Sequence, residues 1–163
     1  MSLLKSIGAA TMAAVFLTAV AAAGTMFRLE IGSTAALGMD KKFKDSPKKV
    51  VVAVRAVVCE DLANVKISGT AEGVVNGKRE SLPLTLITID RAEAVYAVGQ
   101  QWPPDGTWLL HLKGSCASPK ADASTLVAVT NGTFIRDKST VLVEPATRKQ
   151  IDDALASLSR SRS

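Results

Sequence analysis

From Lys49 onward apolar residues recur at every second position, the period of a strand with one buried face. Val50, Val52, Val54, Ala56 and Val58 share one face of a first predicted strand, with Arg55 on the other. Val65, Ile67, Gly69 and Ala71 then alternate inward against Lys66, Ser68, Thr70 and Glu72, as in a half-buried antiparallel strand. Asn76-Gly77 supplies a hairpin signal, because both positions tolerate φ > 0 in a type I′ turn. Leu82, Leu84 and Leu86 resume the alternation, and a slip of one position before Ile87 and Ile89 predicts a bulge or a change of strand partner. Pro83 has no backbone donor and places its strand at an edge.

A fourth strand is predicted over Ala94 to Gln101, ending in a tight reversal at Trp102-Pro103-Pro104-Asp105-Gly106. The fifth, Thr107 to Lys113, turns Trp108, Leu110 and Leu112 inward and Leu109 and His111 outward. Gly114 to Ala123 reads as a polar loop. A sixth strand through Leu126, Ala128 and Thr130 meets a second Asn-Gly turn at Asn131-Gly132 and returns through Phe134 and Ile135. A last strand covers Thr140 to Glu144. About seven strands at this spacing predict an all-β sandwich or barrel.

The period changes at Thr147-Arg148-Lys149-Gln150, a capping box, after which Ile151, Ala154, Leu155 and Leu158 follow at helical spacing. Such a short helix is marginal alone and is expected to dock on the sandwich, covering an edge. Ser157 to Ser163 should be disordered. Thr25 to Ile31 has the pattern of an extra edge strand, within a stretch otherwise read as a tether.

The first residues are of a different kind. Lys5 precedes an uncharged run from Ser6 to Gly24 that ends Ala21-Ala22-Ala23-Gly24, a secretory leader with cleavage expected after Ala23. An uncleaved anchor is the alternative, since the run would form roughly 28 Å of helix. The expected layout is therefore a signal peptide over 1–23, a basic tether over 24–48, a sandwich over 49–145, and a helix with its tail over 146–163. Export makes Cys59 and Cys116, the only two cysteines, a disulfide pair.

Charge separates body from arms. Residues 40–49 hold five lysines against two aspartates, residues 148–163 are net +2, and residues 50–147 carry nine basic and ten acidic side chains. A body without a basic face does not read nucleic acid. The lysine run is a solvated linker, with contact to an acidic membrane surface or polymer as its alternative.

Catalytic equipment is sparse. His111 is the sole histidine, and Met26 and Met39 lie in the tether, so no ligand set for a metal converges. Glu72, Glu80, Asp90 and Glu93 fall on polar faces or at turns, where solvated carboxylates are expected. No Gly-x-Ser-x-Gly elbow, phosphate loop or dinucleotide fingerprint is present. Asn131-Gly132-Thr133 matches a glycosylation sequon, which its turn role already explains. Tyr96, Trp102 and Trp108 surround the Pro103-Pro104 turn. Trp108 is expected in the core, and Trp102, with Tyr96, Pro103 and Pro104, forms the candidate binding site for a sugar or a Pro-rich peptide.

Gly106-Thr107-Trp108-Leu109-Leu110-His111-Leu112, following a Pro-x-Gly turn and opposite a strand ending at Cys59, resembles the late strand of the YtkA-like and FixH-like immunoglobulin-like domains of the bacterial periplasm. The hairpin at Ala71 to Arg79 and Val95-Tyr96-Ala97-Val98 fit the same layout, over roughly residues 48–144. The resemblance implies an immunoglobulin-like antiparallel β-sandwich with a short C-terminal α-helix, and a compartment, but no catalytic residue. The chain departs from the antibody pattern in carrying Trp108 and Cys116 on nearly the same strand. The expected function is that of an exported, non-enzymatic binding or assembly module without cofactor, whose partner is an envelope protein or polysaccharide. Its alternatives are a membrane-anchored accessory domain and a metal carrier or hydrolase on the same fold.

Overall fold

The alternation becomes two facing antiparallel sheets. The computed structural model describes residues 26–33 and 49–160; the leader, Met39, the lysines from Lys41 to Lys48 and the last three residues lie outside the described residues. Among the described residues nine strands occur in the order β1 (Arg28–Gly32), β2 (Val50–Val57), β3 (Lys66–Val75), β4 (Lys78–Pro83), β5 (Leu86–Asp90), β6 (Val95–Gly99), β7 (Thr107–Ala117), β8 (Lys120–Thr130) and β9 (Thr133–Leu142), followed by α1 (Arg148–Arg160). One sheet has the order β1-β2-β6-β5 and the other β4-β3-β7-β8-β9. Val52, Val54, Ala56 and Val98 from the first meet Ala71, Trp108, Leu110, Leu112, Val127 and Val129 from the second in one core.

Two local features raise the expected seven strands to nine, and a third lengthens two of them. Arg28–Gly32, within the stretch read as a tether but overlapping the candidate edge strand at Thr25 to Ile31, pairs with β2 as an edge strand, and Leu29 is fully buried against Gly114, where a Cβ would stand 2.6 Å from its Cδ2. The chain from Lys78 to Asp90 crosses between sheets after Pro83, so the one-residue slip marks a change of partner, with β4 on the edge as Pro83 requires. Gly114 to Ala123 is not a loop. β7 and β8 continue through it to a two-residue Ser118-Pro119 turn, with Cys116 buried on the inner side. Small residues had disguised an alternation that Leu29 fills from the other sheet.

The segments around Ile135 and Thr140 form one strand with a bulge, bridged by Ser139, whose Oγ accepts the Ala128 N–H (2.9 Å) and donates to the Ile135 carbonyl (2.8 Å). Both Asn-Gly turns have the expected positive φ, 51° and 74° at Asn76-Gly77 and 49° and 68° at Asn131-Gly132.

The helix begins at its capping box: Gln150 N–H donates to Thr147 Oγ1 and Thr147 N–H to Gln150 Oε1. It continues to Arg160, so the tail expected to be disordered is helical over 157–160. It covers no edge. Ile151, Leu155 and Leu158 pack on Leu109, Leu126 and Ala128, the outer face of the central strands β7 and β8. Leu109, expected to face solvent, is fully buried beneath it, and the protein has three layers.

Candidate functional site

The aromatic cluster is not a surface. Trp102, the principal candidate contact, is 4% exposed and belongs to the inter-sheet core. A large apolar ring at a strand end folds inward when the space between two sheets is open there, which sequence position does not reveal. Tyr96 is half-buried on β6, between Val54 and Thr88, and packs against the same core. Only Pro103 and Pro104 remain exposed, in the turn. Trp108 is core as expected; its ring lies on Gly73, and its Nε1 donates to the Asp105 carbonyl (3.4 Å). The structure therefore brings Trp102 and Tyr96 together with the core rather than with the proline turn as one binding patch.

Cys59 and Cys116 are bonded to each other, tying the end of β2 in one sheet to β7 in the other. Such a bond suggests an oxidising, extracytoplasmic environment. Among the described residues no helix is long and apolar enough to cross a membrane, and no three His, Cys, Asp or Glu side chains gather where they could hold a metal.

The chemistry-bearing side chains lie instead on the outer face of the larger sheet. Glu72, expected to be solvated, is 8% exposed. Its Oε1 accepts from Ser81 Oγ (2.8 Å) and Thr70 Oγ1 (2.9 Å), and its Oε2 from Arg79 Nε (3.3 Å) and Nη2 (3.2 Å). Burial pushes the carboxyl up, but the hydrogen bonds from Ser81, Thr70 and Arg79 outweigh it and hold the group below its ordinary range. Arg79 also bonds Asp152, so Glu72, Arg79 and Asp152 pin α1 to the β3–β4 hairpin.

His111 lies one row further along, opposite Thr70 and Leu126. Its Nε2 is 3.3 Å from Ser124 Oγ, which accepts the Ala146 N–H at 3.0 Å. Burial and then the nearby charge of Lys113 push the imidazole below its usual value, while Glu72 acts weakly in the other direction. A serine and a histidine in contact invite the nucleophile reading. Ser124 is fully buried, however, its oxygen is capped by the chain at Ala146, and the hydrogen bonds of Glu72 go to Thr70, Ser81 and Arg79 rather than to the imidazole. The serine oxygen is already engaged by the Ala146 N–H, and no carboxylate among the described residues bonds the imidazole, so the contact serves as a structural clip.

Beyond this row the face is open. A groove of about 530 Å³ is lined by Lys66, Ser68, Lys113, Ser115, Asp122 and Pro145, among others. It continues through Lys66, Ser115 and Asp122 into a second concavity of about 350 Å³ bordered by Asn64 and Lys120. The alternation had put Lys66 and Ser68 outward; the loop reading of Gly114 to Ala123 hid Ser115, Lys120 and Asp122, which complete the groove. No protein-family model, curated protein or solved structure matches the chain.

Proposed function

We propose that this protein is an extracytoplasmic, non-catalytic binding or assembly module with an immunoglobulin-like topology, in the periplasm or outside the cell. Two connections support the topology. The order β1-β2-β6-β5 corresponds to immunoglobulin strands A-B-E-D, and β3, β7 and β8 to C, F and G, with β4 beyond C and β9 beyond G. The disulfide then joins the B and F equivalents, although the core tryptophan stands on F instead of C. The resemblance to YtkA-like and FixH-like domains remains part of this proposal and rests on that late tryptophan strand.

The observation that carries the binding role is the open groove across β3, β7 and β8, where polar and charged side chains from three paired strands line one concave surface. An envelope protein or polysaccharide is the partner class. Titration of isotope-labelled, oxidised protein with solubilised envelope polysaccharide and envelope protein fractions tests the role. Amide shifts confined to the outer face of β3, β7 and β8 are expected. Absence of any shift, or shifts centred on Pro103 and Pro104, would overturn the assignment of the face. Thiol trapping in cell fractions checks the compartment: Cys59 and Cys116 should resist alkylation until reduced.

A further inference from the structure

The groove has a charge character that narrows its ligand. Across β3, β7 and β8 its floor consists of two rows, Ser68–Lys113–Ser124 and Lys66–Ser115–Asp122, and Lys120 stands opposite Ala117 one row further. Lys66, Lys113 and Lys120 are all exposed, and none takes part in a salt bridge or side-chain hydrogen bond among the described residues. Other exposed cations, such as Lys78, Arg91 and Lys138, also stand outside any salt bridge among the described residues, so what sets these three apart is their grouping on one concave face. Three unmatched cations against the single carboxylate of Asp122 leave the groove net positive, whereas residues 50–147 as a whole hold one more acidic than basic side chain.

Spacing adds specificity. Lys66 lies opposite Ser115, two residues from Lys113 on the same strand, so the two lysines are diagonal neighbours with stems about 7 Å apart. Two ammonium groups on such stems can reach one oxyanion, with the Ser68 and Ser115 hydroxyls on the other diagonal as neutral donors. Among the described residues the face has no aromatic platform, since Tyr96, Trp102 and Trp108 are all on the core side, which disfavours a neutral sugar held by stacking.

We infer that this groove binds an oxyanion, phosphate or carboxylate, carried on a hydroxyl-rich ligand of the acidic-glycan class, with Lys66 and Lys113 as the paired contacts and Lys120 extending the site along the strand direction. The inference rests on the reading of this face as the binding surface.

The chain supplies its own reporter. His111 is the sole histidine, and its imidazole is held low in part by Lys113. The other charged group acting on it is Glu72, which is engaged with Arg79. An anion seated on Lys113 cancels part of that field, so the His111 titration followed by ring NMR should move upward when the site fills.

The probes are inorganic phosphate, polygalacturonate and, as a neutral control, dextran, each added to the oxidised full chain at low salt. Phosphate or polygalacturonate should raise the His111 titration point and shift amides of the Lys66 and Lys113 rows; whichever acts at lower concentration identifies the ligand as phosphorylated or uronic. Lys66→Gln with Lys113→Gln should weaken binding about tenfold or more, and Asp122→Asn should tighten it about threefold, a gain that misfolding cannot mimic. Equal binding by the lysine variant, or no response to either anion, overturns the inference. If dextran or an envelope protein fraction then shifts the same face, the binding surface stands and only its anion preference is lost; if nothing shifts it, both readings fall.

Discussion

Replacing Glu72 by glutamine tests how the third layer is held. The carboxylate is nine-tenths shielded and accepts four hydrogen bonds, two from hydroxyls and two from the Arg79 guanidinium. Glutamine has nearly the same shape. It can turn its oxygen to Arg79 and its NH₂ to Thr70 and Ser81, whose hydroxyls rotate to accept, so no buried group is left without a partner. What disappears is the charge. A hydrogen bond to a charged group contributes about 1.5–3 kcal/mol and a neutral one about 0.5–1.5 kcal/mol, and Arg79 keeps Asp152, so the net loss is about 1.5 kcal/mol at neutral pH.

The pH dependence follows from the direction of the shift. The folded carboxyl titrates below its ordinary 4.5, so its contribution is complete above the unfolded value and is lost as pH falls through the folded one. The gap between wild type and Glu72→Gln should therefore be constant from about pH 8 to pH 5.5 and close under more acid conditions. Urea unfolding followed by the fluorescence of the two buried tryptophans measures it, with stability read from the midpoint at constant slope. A gap that is absent at pH 7, or that persists unchanged at about pH 3.5, would show that the carboxylate charge does not hold the hairpin and helix together.

Trp102→Ala should cost about 3–5 kcal/mol and lower Tm by more than about 10 °C, because the ring fills the inter-sheet core; a change of a few degrees in calorimetry would return Trp102 to the surface. Removing the disulfide with Cys59→Ser and Cys116→Ser releases a loop spanning 57 residues, worth about 4 kcal/mol in the chain-entropy model, and equal urea midpoints for oxidised and variant protein would contradict that. Leu155→Ala, truncating a side chain 6% exposed against Leu109 and Leu126, should cost about 2–4 kcal/mol. If hydrogen exchange instead showed α1 opening alone with global stability intact, the helix would not be part of the cooperative core.

Much of this fold was legible because period-two alternation and Asn-Gly turns are local signals. Val52 to Ala56, Val65 to Ala71 and Trp108 to Leu112 face the interior as their parity requires, and both hairpins form where φ > 0 is tolerated. The misreadings share a physical cause, namely that a residue's environment was set by a distant segment. Gly114 looks like a loop residue until Leu29, far away in sequence, occupies the space above it. Glu72 looks solvated until Arg79 and Asp152 close over it. Trp102 looks exposed because prolines follow it, yet the open end of the sandwich takes the ring in.

The same reasoning explains why one sheet face is covered over one half and open over the other. Parity states that Leu109, His111, Lys113 and Ser115 share the outer side of β7, and on that basis alone all four would be solvated. The apolar members, with Leu126 and Ala128 on β8, need a cover, and α1 provides it; the polar members do not, and the helix begins only after the chain has crossed over Ser124 at Pro145 and Ala146. The wall of the groove is thus the approach to the helix that covers the other half of the face. Ser124 fixes this boundary, accepting from Ala146 on one side and contacting His111 on the other, so the hydroxyl–imidazole contact that resembles catalysis instead decides how much of the sheet stays open to a ligand.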